Sequence, residues 1–154
     1  STREYENIAV LPHCLDLVLR FETEFQEHVK FLRHAAMEIL QKTWDLAAAD
    51  ALLWYGDLQP DFDMSMLSMP LPTEKLLAAA QFSEPTLSLG KKLKLLKKYI
   101  VPKLWSEYAI EVPVFVWKEE MLGVRLSFGR HVQLDDIQRL GECLICMIQD
   151  RIVV

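Results

Sequence analysis

Arg125 is the residue of this chain whose type and setting best suit chemistry. It lies between Val124 and Leu126 in Met121-Leu122-Gly123-Val124-Arg125-Leu126-Ser127, a stretch that reads as a β-strand. A cation set among apolar strand residues is expensive to bury unless an anion meets it. Arginine also carries a planar fork that grips a carboxylate with two parallel hydrogen bonds. The position therefore suggests a carboxylate clamp, against the plainer reading of a strand charge that points at water.

Other chemistry-bearing residues are less well placed. Cys143 and Cys146 form a CxxC, but within Leu140-Gly141-Glu142-Cys143-Leu144-Ile145-Cys146-Met147-Ile148, an apolar helical pattern. Zinc spacing would require a second Cys or His pair, which is missing, so both read as buried helix cysteines. With Cys14 the count is odd, which does not suggest a disulfide framework. His13, His28, His34 and His131 form no HExxH or other metal-spaced pair and read as surface or partly buried. Lys91, Lys92, Lys94, Lys97 and Lys98 interleave with Leu93, Leu95, Leu96 and Ile100 as a basic amphipathic helix, best explained as a solvated face. There is no GxSxG, P-loop or GxGxxG.

The elements that must position Arg125 follow from periodicity. The spacing predicts a helix over Leu11–Arg20, with Pro12 in its first turn, and a longer one over Glu22–Trp44. Residues 45–54 read as a further helical segment. Met64, Met66 and Leu67 read as strand, which Pro70 and Pro72 stop or confine to a sheet edge. Thr73 can cap a short helix through Ala80, and 90–108 reads as helix with a break at Pro102. Ile110–Trp117 and Met121–Ser127 read as two strands joined by the charged turn Lys118-Glu119-Glu120, and a last helix runs from Asp135 to about Ile152. This order implies an α+β domain with a small antiparallel sheet of about three strands covered by helices.

Composition narrows the function classes. A net charge of -5 and a pI near 5.4 argue against nucleic acid as a partner. No apolar run reaches membrane-spanning length and no charged-then-apolar leader opens the sequence, so a soluble, cytoplasmic protein is expected. An apolar content of 51% is high for a free-standing domain of this size and implies surface covered by another chain or domain.

Several segments, in order, resemble the C-terminal part of the class V aminotransferase family of pyridoxal-phosphate enzymes, nearest the isopenicillin N epimerase and cysteine desulfurase-like branch. Ser1-Thr2-Arg3-Glu4-Tyr5 resembles the family's Gly-Thr-Arg-Asp-Tyr, and Ile8-Ala9-Val10-Leu11-Pro12 with Leu15-Asp16 resembles the helix after it. Met66-Leu67-Ser68-Met69-Pro70-Leu71-Pro72 resembles the Gly-Ser-Met-x-x-x-Pro-Leu-Pro strand of that branch. Ile110-Glu111-Val112-Pro113-Val114 and Val124-Arg125-Leu126-Ser127 resemble its Ile-Glu-Val-Pro-Val and Val-Arg-Ile-Ser strands, and Asp136-Ile137-x-x-Leu140 its closing helix.

The resemblance implies a fold-type I small domain spanning residues 1–154. Arg125 would hold the α-carboxylate of an amino-acid substrate, Thr2 would donate its hydroxyl to the phosphate of pyridoxal 5'-phosphate, and Arg3 would lie near it. A homodimer and C–S lyase or desulfurase, aminotransferase or epimerase chemistry are implied for the intact enzyme. The sequence departs from the family in two places: His131-Val132 stand where it has Tyr-Asn, and Ser1 where it prefers glycine. The family's large domain, with its Schiff-base lysine, is not in this chain, and none of the lysines here lies in a matching motif. The chain alone is therefore expected to be inactive, since covalent catalysis of that kind needs a positioned amine. The competing expectation is a non-catalytic α+β interaction module that kept the same shape.

Overall fold

The protein is an α+β structure in which helices cover one face of a three-stranded antiparallel sheet. The computed structural model describes residues 2–47 and 66–154, with side chains from Leu19 onward.

Helix α1 runs Thr2–Trp44 as one element of 43 residues, about 65 Å long. The two helices expected from the sequence are thus continuous. Arg20-Phe21-Glu22 contains neither glycine nor proline, so nothing there stops propagation. The helix ends where Asp45 turns left-handed at φ 56. Asp45 N–H donates to the Lys42 carbonyl at 3.3 Å and Leu46 N–H to Gln41 at 2.9 Å, the paired closure of a Schellman ending. Helix therefore does not continue through Asp45–Ala47, and the rest of the expected 45–54 segment lies outside the described residues.

Among the described residues, strand β1 (Met66–Pro70) pairs only with β4 (Met121–Ser127), and β4 pairs on its other side with β3 (Val114–Trp117). As expected of a proline-terminated strand, β1 is an edge. Expected strand residue Met64 lies outside the described residues. Helix α2 (Thr73–Ala79) follows, with Pro72 rather than Thr73 at the cap position. Helix α3 (Leu89–Tyr108) passes Pro102 without a break. Pro102 and Lys98 are both exposed, on the side of the helix where the hydrogen bond that the ring removes costs least. The first strand of the hairpin starts later than expected. Ile110 closes the end of α3 by donating to Leu104 at 3.0 Å, and the ladder itself begins at Val114.

Helix α4 (Leu134–Gln149) stops three residues short of expectation. Arg151 turns left-handed at φ 60, and β5 (Ile152–Val153) pairs in parallel with β2 (Ala80–Gln81), a small second sheet. Among the described residues no helix is long and apolar enough to cross a membrane.

Strand alternation divides the main sheet into two faces. Leu67, Met69, Val114, Leu122, Val124 and Leu126 are buried. They meet Leu32, Ala36, Leu40 and Trp44 of α1, Leu93, Leu96, Ile100 and Leu104 of α3, and Leu140, Leu144 and Met147 of α4 in one core. Trp44 is completely buried, and its indole N–H donates to the Gly141 carbonyl at 3.2 Å. A Cβ at Gly141 would press on Leu40 and Thr43, standing 3.2 and 3.3 Å from their nearest side-chain carbons, so glycine there lets α1 and α4 approach closely.

Candidate carboxylate-binding groove

Arg125 lies on β4, the central strand, on the face away from the core. Its register partner is Ser68 on β1. Its backbone N–H donates to the Pro113 carbonyl at 3.0 Å, one residue before β3 begins. The side chain is exposed, while Val124 and Leu126 on either side are buried. Alternation along the strand sends the guanidinium outward, so no desolvation cost forces an anion upon it.

The guanidinium borders a groove of about 530 Å³ between the end of the sheet, the 109–113 segment and the start of α4. Ile110, Val112, Phe128, Val132, Ile137 and Leu140 supply its apolar lining. Two carboxylates, those of Glu111 and Asp136, and a second arginine also line it. Asp136 is engaged as a helix cap, its Oδ2 accepting the Gln133 N–H at 2.8 Å. Arg139 is engaged too, donating from Nη2 to the Tyr108 carbonyl at 2.7 Å. Arg125 has no hydrogen bond or ion pair to its side chain among the described residues. Of the two groove arginines, it is the one whose fork makes no hydrogen bond or ion pair to another described residue.

The loop from Gly129 to Val132 forms one end of the groove and is anchored from outside. His28 on α1 bonds through Nε2 to the Val132 carbonyl at 3.2 Å. Since a carbonyl only accepts, Nε2 carries the proton. The Arg130 guanidinium stacks over Phe21 and Phe25, 5.5 and 5.6 Å from their ring centres. Gly129 lies under the His131 ring, whose Cε1 would sit 2.7 Å from an added Cβ. Any side chain at 129 displaces this imidazole.

Thr2 and Arg3 begin α1, and their side chains lie outside the described residues. The groove itself does not fit pyridoxal phosphate: no lysine lines it, so it offers no amine for a Schiff base. What it offers is a cationic fork beside an apolar wall.

Arg139 and Glu111 are groove residues that the sequence alone does not single out. Arg139 follows Asp136 by one helical turn, a spacing that places both on one side of α4. Among the described residues there is no group of three potential metal ligands. The cysteine expectation holds for Cys143, which is buried, and fails for Cys146, which is exposed. Three residues on, Cys146 has turned away from the core stripe of Ile137, Leu140, Leu144 and Met147. Burial pushes the Cys143 thiol above its ordinary value. No family model, no curated protein and no solved structure matches this chain.

Proposed function

We propose that the chain is the C-terminal, substrate-gripping portion of a pyridoxal-phosphate-dependent amino-acid enzyme, with Arg125 as the clamp for the α-carboxylate. The observation that carries this reading is the open guanidinium of Arg125 on the central strand, beside a groove whose other arginine is already held by Tyr108. The resemblance of Val124-Arg125-Leu126-Ser127 and Ile110-Glu111-Val112-Pro113-Val114 to the family's paired strands supports it. These two segments are neighbours in the sheet, joined by the bond from Arg125 N–H to Pro113. The chemistry, whether C–S lyase or desulfurase, transamination or epimerisation, belongs to a large domain outside this chain. The chain alone grips and does not turn over, and the intact enzyme is a homodimer.

The test is calorimetric titration of the longest natural form of the protein with α-amino acids. The clamp requires that Arg125→Ala weaken binding strongly while the fold persists, and that Arg125→Lys recover only part of it, because an ammonium lacks the two-pronged geometry. Equal binding by all three forms would remove the clamp.

A second reading is favoured by the exposed large side chains Phe31 and Trp105, 58% and 61% accessible on the outer sides of α1 and α3. In it the chain is an α+β interaction module and Arg125 is only a surface charge. Stable, monodisperse behaviour of the isolated chain, with no amino-acid binding by the natural form, would support that reading over the first.

A further inference from the structure

Helix α3 is built against its own local interests. Lys91 and Lys92 sit in its first turns, where the positive end of the helix dipole disfavours cations. That turn holds no acidic residue, and Ser88 makes no side-chain cap bond. Lys94, Lys97 and Lys98 follow at spacings that repel along a helix. Glu107 is the one acid of the whole element. Among the described residues the compensation for this stretch is slight: Lys94 lies 3.7 Å from Glu119, with both side chains largely exposed, and Lys92 lies over the Phe82 ring, 5.5 Å from its centre. Local rules that fail together at one place point to a use.

The outward line of α3 is Lys91, Lys94, Lys98 and Trp105, at offsets of 0, 3, 7 and 14. It runs opposite the buried Leu93, Leu96, Ile100 and Leu104. The outward line of α1 is Glu24, Glu27, Phe31 and Glu38, with the same offsets. It runs opposite the buried Val29, Leu32, Ala36 and Leu40. Arg20 lies one turn before it, and Lys30 lies to one side. Among the described residues, Glu24, Glu27 and Glu38 make no ion pair. One line is basic with an exposed tryptophan, and the other is acidic with an exposed phenylalanine. Each faces solvent away from the core that both helices share, so within one chain they do not meet.

We infer that the outer face of α3 docks on the outer face of α1 of a second copy of this chain. Shared spacing and opposite charge set the register, which sets Phe31 against Lys98 and Trp105 against Glu38, each ring lying on the carbon stem of its charged neighbour. This surface is independent of the Arg125 groove, and either can fail without the other.

Sedimentation of the full chain over a range of concentrations and salt tests it. The expected result is self-association that weakens as salt rises, because the charges involved are exposed. Lys94→Glu with Lys98→Glu, and separately Glu24→Lys with Glu27→Lys, should each weaken association by about a hundredfold or more, since like charges would then face one another. An equimolar mixture of the two variants places opposite charges at every contact between unlike chains and should recover association. Circular dichroism establishes that each variant is folded. A wild-type chain that stays monomeric at low salt overturns the proposal. So does association that survives either reversal, or a mixture of folded variants that fails to associate.

Discussion

The hydroxyl of Thr73 accepts a hydrogen bond from the Leu122 backbone N–H at 2.9 Å. The same hydroxyl donates to the Leu71 carbonyl at 3.2 Å. Thr73 is 8% accessible, one of the few buried polar residues, and it ties the start of α2 to β4, the strand that carries Arg125. A buried donor left without a partner costs its full desolvation penalty. Thr73→Val keeps the shape and removes the oxygen, so it should destabilise the chain by about 1–3 kcal/mol. Thr73→Ser should cost less, because the oxygen remains. Urea denaturation of the two variants checks the order.

Ala109 closes α3 in a left-handed conformation at φ 53. Its N–H donates to Trp105 at 3.1 Å. A Cβ in that region costs roughly 1–2 kcal/mol, which glycine escapes at some entropic expense in the unfolded chain. Ala109→Gly should therefore raise stability by about 0.5–1 kcal/mol, read as a higher denaturation midpoint with an unchanged slope.

The two cysteines of α4 should react at different rates although they are three residues apart. Cys146 is exposed, whereas Cys143 is buried with its thiol pushed upward by desolvation. In a Cys14→Ser background, a maleimide should modify one site under native conditions and a second only in denaturant. Peptide mapping should place the native adduct at Cys146. Native modification of Cys143 at a similar rate would contradict the packing of α4 against the core.

Stability should fall in alkali. Lys103 is raised chiefly by donating to the Tyr99 hydroxyl, whereas Tyr108 and Cys143 are raised chiefly by burial. All three hold their protons more tightly when folded. Below their ordinary values of 9.0 for the thiol, 10.0 for the phenol and 10.5 for the amine, folded and unfolded chains are equally protonated. Above them the unfolded chain releases protons first, so it is favoured as pH rises. Denaturant midpoints should be flat from neutrality to about pH 8.5 and then decline. Cys143→Ala should remove the earliest part of the decline.

The α+β class and the edge position of β1 are legible because alternation and proline are local signals. The three-strand sheet follows from the hydrophobic runs around Leu67, Val114 and Val124. The turn between β3 and β4 is legible too, but not its strain. Lys118 and Glu119 both adopt positive φ, 47 and 59, where hairpins usually use glycine or asparagine. The pairing of Ala80-Gln81 with Ile152-Val153 is invisible, because a two-residue strand has no period to detect. Periodicity suggests two helices meeting at Phe21, yet nothing in Arg20-Phe21-Glu22 breaks a helix, and α1 runs through.

The groove is legible only in part. Arg125 stands out because a cation interrupts an apolar strand, yet its exposure depends on which face β4 turns to the core, and that is a property of packing. Arg139 enters the groove through the docking of α4 against Tyr108, a contact across 31 residues. No local pattern announces such a neighbour.

The most direct test of the central claim is the affinity of the longest natural form for α-amino acids, with and without Arg125. A bidentate arginine–carboxylate contact of about 3 kcal/mol corresponds to roughly a hundredfold in affinity. Arg125→Ala is therefore expected to weaken amino-acid binding by about that factor while the thermal midpoint stays unchanged. Wild-type and Arg125→Ala proteins with the same affinity, or a natural form that binds no amino acid, would contradict it.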